Sequence, residues 1–134
     1  MIVVDASVLA NALGDDADDG HIARNELLAA GDLAAPDLID VETVAVLRKR
    51  WLAQAISDER FDAAVTDLQR LDFERVPTLR LMRRAYELRA NVTAYDATYV
   101  ALAEALGCHL LTADQRLAKS TGPRCHIRIL PAQQ

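Results

Sequence analysis

Short apolar runs along this chain alternate with longer segments of helical period. Met1–Val4 is β-branched and apolar and reads as a strand ending at Asp5. Ala6–Leu13 follows as a short helix stopped at Gly14, and Asp15-Asp16-Ala17-Asp18-Asp19 precedes a helical pattern from Gly20 to Ala30. Acidic residues suit a helix N-terminus because they face the positive end of its dipole, so that cluster reads as a solvated helix start. Gly31 ends the helix, and Leu33-Ala34-Ala35 forms a weak strand before Pro36. A long helix is expected over Asp37–Ala53, with Leu38, Val41, Ala45 and Leu52 on one apolar stripe and Val44, Leu47 and Trp51 on the next. Ser57 reads as the cap of a helix reaching Leu71, with Phe61, Val65 and Leu68 buried.

The second half repeats the alternation. Phe73-Glu74-Arg75-Val76 is an edge-like strand stopped by Pro77, and Thr78 is expected to cap a helix reaching Ala90. Asn91–Thr93 breaks it, a further helix covers Ala94–Leu106, and Gly107 closes that helix from the left-handed region. His109–Thr112 is a strand, Asp114–Lys119 a helical turn, and His126–Leu130 a last strand before Pro131. Strands separated by helices predict an α/β fold, a mainly parallel sheet of four to five strands covered on both faces. Residues 1–134 read as one domain, long enough for a single core.

Four carboxylates break this pattern. Asp5, Glu42 and Asp114 stand against apolar or small-residue runs, and Asp96 is the only charge between Ala90 and Ala103. No Lys or Arg sits beside any of them, and an ionised carboxylate leaves water only when something pairs with it. Asp5 and Asp114 follow the first and fourth strands; Glu42 and Asp96 fall in the first turns of helices that start from the same sheet edge. Ligands bind parallel sheets beyond the carboxyl ends of the strands. Singly, each acid has an ordinary reading as a helix cap or a solvated helical position. Together they form an oxygen-rich set suited to Mg²⁺ or Mn²⁺. Two helices joining the third strand to the fourth leave open how the chain regains that edge before Ala94.

Composition narrows the classes. A hydrophobic fraction of 51% with 26% charged residues excludes a disordered chain, and the net charge of −5 gives no overall basic surface. Thirteen of the fifteen basic residues are Arg, the side chain best matched to phosphate. No stretch of about 18 apolar residues is present to span a membrane, and Met1–Val4 lacks the basic lead of a signal peptide. Two cysteines, Cys108 and Cys125, suit reduced thiols and a cytoplasmic protein. The pairs Cys108-His109 and Cys125-His126 make a poor zinc set, because successive strand residues point to opposite faces. Arg48-Lys49-Arg50 and Arg80 with Arg83-Arg84 are basic groups that read first as solvated faces, and Trp51 as either a partner contact or a half-buried core residue.

The motifs Asp5-Ala6-Ser7-Val8-Leu9, Glu42, Tyr95-Asp96-Ala97 with Tyr99-Val100-Ala101-Leu102-Ala103, and Leu111-Thr112-Ala113-Asp114 resemble a PIN domain over essentially the whole chain. The likeness is nearest to the VapC-type toxin ribonucleases of toxin–antitoxin pairs. It implies a three-layer α/β/α fold and a Mg²⁺- or Mn²⁺-dependent endoribonuclease acting on RNA. It also implies inhibition by a cognate antitoxin, and usually a homodimer. By the same resemblance Asp5 and Asp96 are the principal metal ligands, with Asp114 and Glu42 completing the catalytic set through water or a second ion. Ser7 and Thr112 match hydroxyls that orient the ligating carboxylates, although Ala6 stands where relatives often carry Thr. Arg116, two residues after Asp114, reads either as a solvated helix charge or as a group that reaches a substrate phosphate.

Competing classes differ in what they require. The same site would serve a structure-specific DNase or a housekeeping RNA-processing nuclease, and a PIN-shaped binding module would not need all four acids. A phospho-receiver domain needs an Asp after the third strand and a Lys near the last, where this chain has Arg75-Val76-Pro77-Thr78 and Ile127-Arg128-Ile129-Leu130. A haloacid-dehalogenase-type phosphatase needs Asp-x-Asp at the first strand, but position 7 is Ser.

Overall fold

A computed structural model describes residues 1–130, so Pro131, expected to end the last strand, lies outside the described residues. Among them, five strands form one parallel sheet. They are β1 (Ile2–Val4), β2 (Leu33–Pro36), β3 (Glu74–Val76), β4 (Leu110–Thr112) and β5 (Ile127–Ile129), in the order β3-β2-β1-β4-β5. β1 and β4 are buried at every position, which is why they read as unbroken apolar runs: a parallel sheet is covered on both faces. β3 takes the edge expected for it.

The helices are α1 (Ala6–Gly14), α2 (Asp18–Ala30), α3 (Ile39–Leu52), α4 (Asp58–Arg70), α5 (Met82–Glu87), α6 (Ala94–Leu106) and α7 (Gln115–Lys119). α1 packs on α2, α3 and α4, whereas α6 lies against β1, β2 and β4 with α5 beside it. Local signals set the boundaries. Ser57 caps α4 by accepting from Arg60 N at 3.0 Å, and Gly107, at φ 65°, closes α6. Asp18 and Asp19 occupy the first turn of α2, as the acidic cluster predicted.

Two expectations are corrected. The helix predicted from Thr78 to Ala90 is split: Leu79–Leu81 is a 3₁₀ turn, α5 has six residues, and Thr78 provides no side-chain cap. Tight bonds from Arg89 N to Tyr86 O and from Asn91 N to Leu88 O end α5 early. Six residues rise only about 9 Å, so this connection stays short and α6 can start at the carboxyl edge of the sheet. This is how the chain regains that edge before Ala94.

The second correction concerns α3. Its buried stripe is Ile39, Thr43 and Leu47, while Val41 is 74% and Leu52 56% exposed, Ala45 is exposed, and Leu38 and Val44 are partly buried. Apolar residues surround this helix, so period alone did not select the inward face; packing on α1 did. On α4, Leu68 is buried as expected with Ala64, and Phe61 and Val65 are only partly covered.

The α1–α2 junction is held by Arg24, whose Nη1 donates to Ala12 O at 3.0 Å and Asp15 O at 2.8 Å. Gly20 packs directly on that backbone: a Cβ there would stand 1.8 Å from Asp15 O. Gly20→Ala is expected to destabilise the protein by about 1–3 kcal/mol, the usual cost of overpacking, despite alanine's better helix propensity. Chemical denaturation checks this, and an unchanged midpoint would contradict it.

Candidate active site

In the order β3-β2-β1-β4-β5, successive connections depart in opposite directions from β1, and the gap beyond the carboxyl ends of β1 and β4 is the topological switch point. Asp5 leaves β1 directly into this gap and Asp114 follows β4 after Ala113. Asp96 is in the first turn of α6 and Glu42 in the first turn of α3.

Asp5 is 6% exposed and fully engaged. Its Oδ1 accepts from Ser7 Oγ at 2.6 Å, Ser7 N at 3.1 Å and Val8 N at 3.3 Å, and its Oδ2 accepts a short bond from Thr112 Oγ1. The two hydroxyls also bind the β4 loop: Ser7 Oγ accepts from Ala113 N at 3.1 Å, and Thr112 Oγ1 from Asp114 N at 3.0 Å. One carboxylate therefore caps α1 and, through two hydroxyls, locks β1 to β4. Asp114 in turn caps α7 by accepting from Arg116 N at 2.9 Å. The ordinary capping reading of Asp5 and Asp114 thus holds alongside any further role. Thr93 caps α6 by accepting from Asp96 N at 3.2 Å, and its hydroxyl also favours the charged form of the Asp96 carboxylate.

Electrostatics show that the four acids sense one another. Burial raises the proton affinity of Asp5, partly offset by the Ser7 and Thr112 hydroxyls, and Asp96 adds repulsion. Burial also raises Glu42, with Tyr99 opposing the effect and Asp96 and Asp5 reinforcing it. Asp96 is raised by burial and by Asp114, against Thr93 and Arg116. Glu42 Oε1 is buried without a well-formed hydrogen bond. Oxygen donors held together against mutual repulsion fit a hard divalent cation. Among the described residues no three His, Cys, Asp or Glu side chains form a ready-made metal cage. Mg²⁺ does not need one, since it keeps several waters and takes one or two carboxylates.

Arg116 stands at the rim, 94% exposed, with Nε 3.7 Å from Asp114 Oδ1. The other basic groups divide. Arg84 is held by Glu104 at 2.7 Å and by the Gly122 carbonyl, and Arg50 by Asn11 Oδ1 at 2.6 Å, whereas Arg48, Lys49, Arg80 and Arg83 are exposed. Cys108 and Cys125 are free thiols. With His109 and His126, whose rings meet edge-on at 4.7 Å, they lie at the amino ends of β4 and β5, the opposite edge from the acids. Trp51 is partly exposed, donates to Asp58 Oδ1 at 2.6 Å and packs near Phe61. Sequence reasoning gave Tyr99 no role beyond its motif. Its signal was visible: a phenol one turn after Asp96, directly before the aliphatic run Val100-Ala101-Leu102-Ala103.

The fold and its edge-clustered acids define a class. The PIN domain family model matches residues 2–122, and the chain belongs to this family. It is 40% identical over 131 residues to ribonuclease VapC9 of Mycobacterium tuberculosis, covering 98% of this chain and 99% of that protein. Among solved structures, FitAcB from Neisseria gonorrhoeae matches with a TM-score of 0.70 at 13% identity, covering 96% of both chains. VapBC2 from Rickettsia felis, bound to a DNA fragment from its promoter, matches at 0.66 and 16% identity over 96% of this chain and 98% of that one.

Because Asp5, Glu42 and Asp96 are all raised, the folded chain holds their protons more tightly than the unfolded chain does. The resulting penalty is absent at low pH and grows as pH rises through the raised values. In EDTA, Asp96→Asn is therefore expected to be more stable than the wild type near neutral pH, with the advantage shrinking as pH falls toward about 4. Thermal unfolding across that range checks this; a variant less stable at every pH would contradict it.

Proposed function

We propose that this protein is a metal-dependent endoribonuclease, the toxin of a toxin–antitoxin pair, hydrolysing RNA phosphodiester bonds with Asp5, Glu42, Asp96 and Asp114. The observation that carries this reading is the convergence of four partly or fully buried carboxylates at the switch point of a fold shared along its length with a VapC ribonuclease. Asp5 and Asp96, with Asp114, would hold Mg²⁺ or Mn²⁺. Held there, such an ion would supply Lewis acidity toward a phosphate oxygen and would lower the proton affinity of a water. Ser7 and Thr112 fix both oxygens of Asp5, so that it enters the site in one orientation. Arg116, exposed beside Asp114, contacts a phosphate of the bound strand.

Partners fit the same reading. The exposed apolar residues Val41 and Leu52 on α3 leave surface for a second protein, either a cognate antitoxin or a second copy in a homodimer. VapBC2, which shares the fold, supports the antitoxin. No helix among the described residues is long and apolar enough to cross a membrane, and the free thiols suit the cytoplasm.

Asp5→Asn and Asp96→Asn are expected to lower RNA cleavage by more than the roughly 10–100-fold that loss of an outer-shell partner costs, with the circular dichroism spectrum unchanged. EDTA should stop the wild-type reaction and Mn²⁺ or Mg²⁺ restore it. Full activity in either folded variant, or hydrolysis indifferent to chelator, would overturn the nuclease reading. Induced expression should arrest growth and Asp5→Asn should relieve the arrest; unaffected growth with the active protein would remove the toxin role.

A further inference from the structure

Two buried polar atoms in this site lack a well-formed hydrogen bond, Glu42 Oε1 and the Tyr99 hydroxyl, and the two groups are neighbours. Tyr99 is only 1% exposed and is the largest of the fully buried side chains. Phenylalanine would fill that volume without burying a hydroxyl, so the phenol costs free energy unless it serves a partner. Burial and the surrounding Glu42, Asp5 and Asp96 push its ionisation far above the ordinary range. A phenol has one hydrogen to donate, and a neighbouring carboxylate oxygen can accept it. The backbone supports the pairing: Tyr99 lies one turn after Asp96 on α6, and Glu42 reaches the same gap from α3.

We propose that Tyr99 is a positioning residue for Glu42: its hydroxyl donates to Glu42 Oε1 and leaves Oε2 as the single oxygen that Glu42 presents to the site. Glu42 then differs from Asp5, whose two oxygens are both held by hydroxyls. Asp5 is oriented by Ser7 and Thr112, Glu42 by Tyr99, and each orienting group comes from a different element. This inference rests on the metal-nuclease reading for its effect on cleavage, but not for its effect on metal binding.

Tyr99→Phe tests it, because the ring and its packing are kept. In EDTA the variant should melt at or above the wild-type temperature. Titrated with Mn²⁺ in the absence of RNA and followed by electron paramagnetic resonance, it should bind the ion about 10–100-fold more weakly, and cleave RNA correspondingly more slowly. Introduced into Glu42→Ala, Tyr99→Phe should cost nothing further. Wild-type Mn²⁺ affinity in Tyr99→Phe, or an equal further loss on the Glu42→Ala background, would overturn the proposal. Absence of metal-dependent cleavage by the wild type would defeat the nuclease reading instead, while the Mn²⁺ titration would still decide the role of Tyr99.

Discussion

The buried carboxylate of Asp5 is the constraint on which the rest of the site depends. It cannot leave water alone, and its partners come from three places at once: the amides that open α1, the Ser7 hydroxyl, and Thr112 at the end of β4. Satisfying it therefore fixes the register between the two central strands at their carboxyl ends and sets where Asp114 emerges. Hydrogen bonds to a charged acceptor are worth about 1.5–3 kcal/mol each, and here they offset part of what burial costs the charged form.

The remaining acids work against stability. Asp96 repels Asp5 and Glu42, Asp114 repels Asp96, and the cation that opposes this at Asp96 is an Arg116 guanidinium on the surface. An exposed ion of this kind contributes little. Sites that keep such repulsion gain from it only through what they bind, and strain of this sort concentrates where function is carried. Placement at the switch point puts the cluster where the central strands end, the edge at which parallel sheets bind their ligands.

Legibility in the sequence followed how local each decision was. The strands and most helices were readable because burial on both faces leaves an apolar run and because helix-end signals such as Ser57 and Gly107 act within a few residues. The acids were readable as anomalies, since a charge amid apolar residues is visible without knowing where the chain goes. The inward face of α3 was not readable. Val41 and Leu52 look as apolar as Ile39 and Leu47, and only packing against α1 and α4 separates the faces of the helix. The early end of α5 was equally hidden, because its tightening bonds within Tyr86–Asn91 leave no distinctive residue type.

By itself, the sequence determined the α/β class, the identity of the four acids and the hydroxyls beside them, because these depend on spacing and residue chemistry within short segments. Tertiary structure alone decided which atoms meet. It gave both oxygens of Asp5 to Ser7 and Thr112, which stands 107 positions away from Asp5 along the chain, and it set Tyr99 beside Glu42. Contacts between distant segments follow from strand order and helix packing, which no local pattern encodes.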